Sequence, residues 1–374
     1  MLVGGGTGGH ITPLLAVAKE LKQRDNNIQV VGVIDKDTHL KDLLINSSCI
    51  DRVANISAGK FRRYPNQNIF FKVFDFKTLG LNIRDFFRVI RGIFESNKVL
   101  NNEQPDIIFI KGGFVGVPTG VVAGFKKIPY ITHDSDIEPG LANKLIAKRA
   151  LLHCVGFPAR FYSYPKQKII EVGVPISKEF NRVTQEQCLK YKSELGIPSG
   201  SILILITGGS LGAVSLNNVA GRIVDDLLKN DKIFIIHQTG NTQDNLPPDS
   251  QRYKKLKYIN DIHKYTGASD IVITRAGSFL AELSAQEKVV IVVPAPQLAG
   301  GHQVKNTEYL IKNNAVVALT QKSLTKNPQL LTDVVESLLI DTSKKNELSK
   351  NLGKVYKKDA VKTIADLLIN KLEK

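Results

Sequence analysis

Gly4-Gly5-Gly6-Thr7-Gly8-Gly9-His10, followed by the apolar helical run 11–21, and Thr207-Gly208-Gly209-Ser210-Leu211-Gly212-Ala213, preceded by the apolar run 201–206, set the fold class. In each stretch a strand runs into a glycine turn and then a helix. That geometry aims backbone N–H groups and the positive end of a helix at an anion. Two such turns, one near the start of each half, predict tandem α/β halves that hold one or two ligands in the cleft between them.

Beyond the first turn, residues 29–34 read as a strand ending at Asp35, and 106–110 as a strand running into Lys111-Gly112-Gly113-Phe114. Residues 129–133 form another apolar run, followed by a polar turn over 134–139. Continuous apolar strands of this kind suit a parallel sheet covered on both faces. The pattern pauses near Val172-Gly173-Val174-Pro175, and Thr184-Gln185-Glu186-Gln187 carries a capping-box signature. Around the second turn the strand-like runs are 201–206, 232–237, 271–274 and 289–294, and 360–372 reads as an amphipathic helix. The expected organisation is a Rossmann-like domain over 1–175, a second over 176–355, and a helix over 356–374 placed to pack back on the first domain. Only Met1-Leu2-Val3 precede the first turn, so the first strand is short, which points to a misassigned start or a few missing residues.

The chain has 374 residues, 43% of them hydrophobic, which predicts two globular domains. Its net charge of +16 points to anionic company: a nucleotide, nucleic acid or an anionic membrane face. The three cysteines, Cys49, Cys154 and Cys188, are widely spaced and form no CxxC, which fits a reducing cytoplasm and argues against a disulfide framework or structural zinc. No signal peptide and no run of 18 apolar residues is present, so membrane contact is expected to be peripheral.

Gly4, Gly6 and Gly9 satisfy G-x-G-x-x-G, and Asp35 could serve as the ribose acid of an NAD site. The density of glycine, the histidine at the helix start and the second anion turn count against an oxidoreductase. His10, beside a positive helix end, is expected to stay a neutral imidazole able to accept a proton; the alternative is a histidine that only caps the helix. His133, His237 and His302 also end or follow strands, but no pair has metal-ligand spacing, so no metal site is expected. Gly277 and Ser278 lie in a further turn, with Glu282 beyond it, placed either to grip a ribose diol or to complement a helix dipole. Gln303 is placed to hydrogen-bond sugar hydroxyls or to sit at the surface. Between residues 60 and 94, nine aromatics alternate with eight Lys or Arg. Such a segment can dock on an anionic bilayer, bind single-stranded nucleic acid or form a core helix pair with snorkelling bases. The bilayer reading makes Phe70, Phe71 and Phe74 the inserting residues and Arg62, Arg63 and Lys72 the contacts to head groups.

Taken in order, the 5–10 loop, Lys111-Gly112-Gly113-Phe114, His133-Asp134-Ser135-Asp136 with Pro139-Gly140-Leu141-Ala142-Asn143, the 208–213 turn, and Arg275-Ala276-Gly277-Ser278 with Glu282 resemble the MurG family of N-acetylglucosaminyl transferases over essentially the whole chain. The resemblance implies a GT-B glycosyltransferase fold, α/β, with two Rossmann-like domains whose parallel sheets face each other across a cleft. It implies inverting transfer of GlcNAc from UDP-GlcNAc to the 4-hydroxyl of MurNAc in lipid I, forming lipid II for peptidoglycan. UDP-GlcNAc is then the donor substrate and no cofactor is needed. Lipid I and an anionic membrane surface are the partners, without nucleic acid, at the cytoplasmic face of the cell membrane. His10 becomes the general base. Thr7, Gly8, Gly9, Asp136, Ser177, Ser210, Ile259, Gly277, Ser278, Glu282 and Gln303 become the donor and acceptor-diphosphate contacts, Ile259 through its backbone to uracil, Glu282 to the ribose and Gln303 to the sugar. Asp136 stands where the family has asparagine, Ser177 where it has arginine, Leu211 where glutamine is common and His302 where the first of two glutamines is typical. The alternatives are another GT-B transferase acting on a membrane lipid, an NAD-dependent oxidoreductase, and a non-catalytic nucleotide-binding protein.

Overall fold

Thirteen strands of the described residues, all paired in parallel, form two sheets. The computed structural model describes residues 1–6, 8–38, 41–61, 76–242, 246–296 and 301–372. The chain divides into two compact units, Met1–Ser177 with Lys357–Lys374, and Lys178–Tyr356.

In the first unit the strands are β1 (Leu2–Val3), β2 (Val31–Asp35), β3 (Arg52–Ile56), β4 (Ile108–Ile110), β5 (Tyr130–Asp134), β6 (Leu152–Val155) and β7 (Ile169–Glu171). Their order across the sheet is β3-β2-β1-β4-β5-β6-β7. The helices that matter for the site are α1 (Gly8–Arg24), α2 (Phe76–Glu103) and α3 (Gly116–Lys126). β1 is short yet central: Val3 pairs with Val33 on one side and Ile110 on the other. All of its residues are buried, as a strand flanked by two others and covered on both faces must be.

The second unit begins with α4 (Gln185–Glu194), whose Thr184 side chain accepts from Gln187 N at 3.2 Å, the hydrogen bond that the capping-box pattern predicts. Its sheet holds β8 (Ile202–Thr207), β9 (Ile233–Gln238), β10 (Tyr253–Leu256), β11 (Ile271–Thr274), β12 (Val290–Val292) and β13 (Val317–Ala318) in the order β10-β9-β8-β11-β12-β13. After β8 comes α5 (Val214–Leu227), with Leu216, Val219, Ala220, Ile223, Val224 and Leu227 buried. That spacing is one apolar helical stripe, and it packs into the same core as Ile204, Ile206 and Ile273 of the sheet. The remaining helices used below are α6 (Phe279–Ala285), α7 (His302–Lys312) and α8 (Ala360–Leu372).

α8 belongs to the first unit. Ile364, Ala365 and Leu368 are buried with Leu14, Val17, Ala18 and Leu21 of α1. Arg24 fastens the pair by donating to the Asp366 carboxylate and to Lys362 O. The returning chain passes Gly173, whose φ of +88° and 2.4 Å approach of a built Cβ to Lys357 O leave room for glycine alone.

Candidate active site

Each sheet reverses its strand order once, at β1/β4 in the first unit and at β8/β11 in the second. In open α/β sheets ligands bind at such switch points, beyond the carboxyl ends of the strands. The glycine turns follow these four strands, so both sheets carry their candidate site where topology requires it.

In the first unit, Gly8, Gly9 and His10 form the first turn of α1. The turn after β4 interlocks with the loop before α1. A Cβ on Gly113, at φ +79°, would lie 2.9 Å from Gly5 O and 3.3 Å from the His10 ring, and one on Gly6 would lie 2.6 Å from Phe114. Glycine is therefore obligatory where the two turns touch, and the imidazole is clasped between them. Burial, reinforced by the positive charges of Lys111 and Lys60, pushes the His10 pKa down to about 3. His10 is a neutral base throughout the physiological range.

Lys111 is buried, and its ammonium donates to Ser135 Oγ at 2.7 Å. Burial lowers its pKa to about 8 against the opposing pull of Asp136 and Asp134. The loop after β5 is pinned at several points. Gly140 N and the Tyr164 hydroxyl donate to the two Asp134 oxygens at 2.9 Å, Asn143 donates to His133 O, and the Tyr162 hydroxyl donates to Asp136 O at 2.7 Å. His133 Nε2 donates to Gly173 O at 2.8 Å, which leaves Nδ1 as a buried acceptor with no partner among the described residues. Ser177 is half-buried at the end of the unit.

In the second unit the 208–212 turn is pressed against the loop after β9. A Cβ on Gly212 (φ +71°) would lie 2.1 Å from Thr239 O, and one on Gly240 (φ +69°) 2.1 Å from Leu211 O. Thr207 Oγ1 donates to Gln238 Oε1 at 2.7 Å and accepts from Gly209 N at 3.1 Å. Asn217 donates to Thr239 O and Thr242 O and meets His237 Nε2 at 3.1 Å. Ser210, half-buried, is thus carried on a braced turn at the start of α5. Across the switch point, Gly277 has nothing within 4 Å of a built Cβ, and the Ser278 hydroxyl makes no capping hydrogen bond to α6. Desolvation pushes the Glu282 pKa up to about 8, which favours the neutral acid, a donor as well as an acceptor, near neutral pH. Gln303 is buried in α7, and its Oε1 accepts from Ala295 N at 2.9 Å. Asn306 of the same helix donates to Ala276 O, tying α7 to the turn after β11. Ile259 is buried beyond the edge strand β10, two strands from β8, so it can offer a ligand only its backbone.

Thr7 and the six membrane candidates Phe70, Phe71, Phe74, Arg62, Arg63 and Lys72 lie outside the described residues. The sequence alone gives no individual role to Lys111, Asn143 or Arg275, which stand only within longer motifs, nor to Asn217 or Gly240. The dinucleotide alternative loses its ribose acid. Asp35 is buried, with its carboxylate accepting from Ala58 N and the Arg88 guanidinium, both at 3.2 Å. Among the described residues no group of three or more His, Cys, Asp or Glu side chains is arranged to hold a metal ion, and no helix is long and apolar enough to cross a membrane.

Residues 1–152 match the glycosyltransferase family 28 N-terminal domain, and residues 203–366 match its C-terminal domain. The chain is 34% identical to the UDP-N-acetylglucosamine–N-acetylmuramyl-(pentapeptide) pyrophosphoryl-undecaprenol N-acetylglucosamine transferase of Clostridium tetani, over 98% of this chain and 96% of that one. It is 32% identical to the protein of the same name in Borreliella afzelii, over 99% and 96%. Among solved structures, it superimposes on MurG of Acinetobacter baumannii with a TM-score of 0.70 at 22% identity, covering 99% of this chain and 98% of that one. UDP-GlcNAc 2-epimerase of Neisseria meningitidis bound to UDP-GlcNAc gives 0.69 at 16% identity, covering 99% of both. These structural likenesses bear on the fold alone and agree with two Rossmann-like domains of the GT-B type.

Proposed function

The chain belongs to glycosyltransferase family 28 and, within it, to the UDP-N-acetylglucosamine–N-acetylmuramyl-(pentapeptide) pyrophosphoryl-undecaprenol N-acetylglucosamine transferases, and on that footing we propose how its residues carry the reaction. The protein is a UDP-GlcNAc-dependent glycosyltransferase that moves GlcNAc onto lipid I and forms lipid II. His10 takes the proton of the acceptor 4-hydroxyl. The freed oxygen attacks the anomeric carbon, the bond from that carbon to the diphosphate oxygen breaks, and UDP leaves with the electron pair, so the configuration inverts. The interlocked turns around a neutral His10 are the observation that carries this reading.

The second unit takes the donor. Backbone N–H groups of the 208–212 turn and the N-terminus of α5 meet the diphosphate, in the manner of anion sites at helix starts, and the mechanism calls on no metal ion. Ser210 adds a hydroxyl. Gly277 and Ser278 admit the nucleotide closely, protonated Glu282 shares a hydrogen bond with the ribose diol, the Ile259 backbone faces uracil, and the Gln303 amide reads the sugar. On the acceptor side, Thr7, Gly8 and Gly9 approach the lipid diphosphate, and Asp136 and Ser177 complete the contacts to the donor and the acceptor diphosphate.

The acceptor's polyprenyl tail stays in the bilayer, since each exposed CH₂ would cost about 0.8 kcal/mol; the enzyme therefore works at the cytoplasmic membrane surface as a peripheral protein. Beyond the residues named in the 62–74 stretch, α2 supports this. Leu79, Ile83, Phe86, Phe87, Ile90 and Phe94 are all exposed, Phe94 at 72%, and their spacing places them along one helix face. The deciding experiment is transfer of labelled GlcNAc from UDP-GlcNAc to lipid I in detergent micelles. Label in a lipid II product with release of UDP is expected; donor hydrolysis alone, or transfer to other lipids only, would refute the assignment.

A further inference from the structure

Arg275 follows β11 at the second unit's switch point and is 6% exposed. Its Nη1 donates to Val293 O at 2.7 Å and to Gln321 Oε1 at 3.0 Å, and its Nη2 donates to Ser215 Oγ. A guanidinium has five N–H donors, and these three acceptors are all uncharged. Among the described residues no carboxylate forms an ion pair with it. Burial, with no opposing negative charge, lowers its pKa to about 10, so it remains a cation. A buried charge without a counter-charge costs stability, and replacing such a group by neutral residues often stabilises a protein.

The location accounts for the arrangement. Ser215 lies in the first turn of α5, immediately after the 208–213 turn. The helix start contributes a partial positive charge there, and Arg275 adds a full one from behind the same turn. Both fields have one sign, and among the described residues no carboxylate pairs with the guanidinium. We infer that Arg275 is a positioning residue for the donor diphosphate: tethered to α5 through Ser215, it fixes the first helical turn and supplies the charge that a departing nucleoside diphosphate balances. This rests on the reading of the 208–213 turn as the diphosphate site, and it adds a cation that stands behind the contacting N–H groups instead of among them.

Calorimetric titration of the full-length protein with UDP and with uridine separates the contribution of the diphosphate from that of the nucleoside. For Arg275→Gln, UDP binding should weaken about 10-fold or more, as expected for losing a nearby full positive charge in a weakly screened site, with uridine binding unchanged. Arg275→Lys should recover much of the preference for UDP at pH 7, because the charge returns without the planar fork. Ser215→Ala, at an exposed position, cuts the tether without removing the charge and should cost UDP several-fold while leaving uridine alone. It decides the matter if Arg275→Gln does not fold. An unchanged ratio of UDP to uridine affinity in the variants, or equal weakening of both ligands, would overturn the inference. A wild-type protein without preference for UDP over uridine would bring down the diphosphate reading itself, and this inference with it.

Discussion

His10 shows how a single side chain is held in its neutral, proton-accepting form. A histidine side chain in water is half protonated near pH 6.5; between two glycine turns and two lysines its pKa falls to about 3. Its protonation therefore imposes no acid limb on the rate between pH 5 and 8. Replacing His10 by Ala should lower kcat by about 10²-fold or more while UDP affinity stays within a few-fold of wild type. An unchanged kcat in single-turnover transfer to lipid I would return His10 to a capping role. The glycine turns and His10 are legible in sequence because each is contiguous, and a dense glycine run ending in a histidine at a helix start suits few structures besides an anion-binding turn. Lys111, Asn217 and Arg275 are not, because their partners are Ser135, Thr239 and Ser215, residues brought near only by sheet pairing. The protonation state of Glu282 is likewise hidden, since it depends on burial and not on residue type.

Among the strands, those visible in sequence are the apolar ones near the centre of each sheet, such as Ile202–Thr207 and Ile271–Thr274. Those that escape it include all four edge strands. Arg52–Ile56 and Tyr253–Leu256 carry charged residues, and Ile169–Glu171 and Val317–Ala318 are only three and two residues long. An edge strand has one neighbour and a solvated face, so it shows no continuous apolar run. α2 poses a different problem: the aromatic and basic pattern over 60–94 marks the segment without giving the bounds of a helix, and the exposure of one apolar face shows only in the fold. Changing Phe86, Phe87 and Phe94 together to Ser should leave thermal stability nearly unchanged, because all three are exposed. Sedimentation with vesicles containing anionic lipid should fall several-fold in the variant, and in the wild type it should weaken as salt rises, since charge attraction to such a surface is screened. Undiminished sedimentation of a folded variant would move the docking face elsewhere on the molecule.

For the protein as a unit, the buried histidines set the response to acid. Burial is the largest cause for each: it holds His153 and His237 down to about 4, His10 to about 3 and His133 well below its ordinary value. Unfolded, each takes up a proton near pH 6.5 that its folded form refuses. The stability they contribute is complete above pH 6.5 and is lost as pH falls toward their folded values, at up to about 1.4 kcal/mol per pH unit for each group. Asp35, Asp134 and Glu282, whose pKa values burial raises, act in the opposite direction. Between pH 6.5 and 5 Glu282 opposes the histidines across the same window, but four displaced histidines outnumber the three displaced acids. Urea midpoints should decline from pH 7 to 5; level or rising midpoints would contradict this account. The discontinuity of the first unit bears on biosynthesis. Residues 178–356 form one contiguous unit, so on the ribosome they can collapse as soon as they emerge. The earlier-made segment must wait for Ile364, Ala365 and Leu368 before the apolar flank of α1 is covered. The half translated first is therefore the half completed last, and during that interval its uncovered helix is a natural target for chaperones that recognise exposed apolar surface.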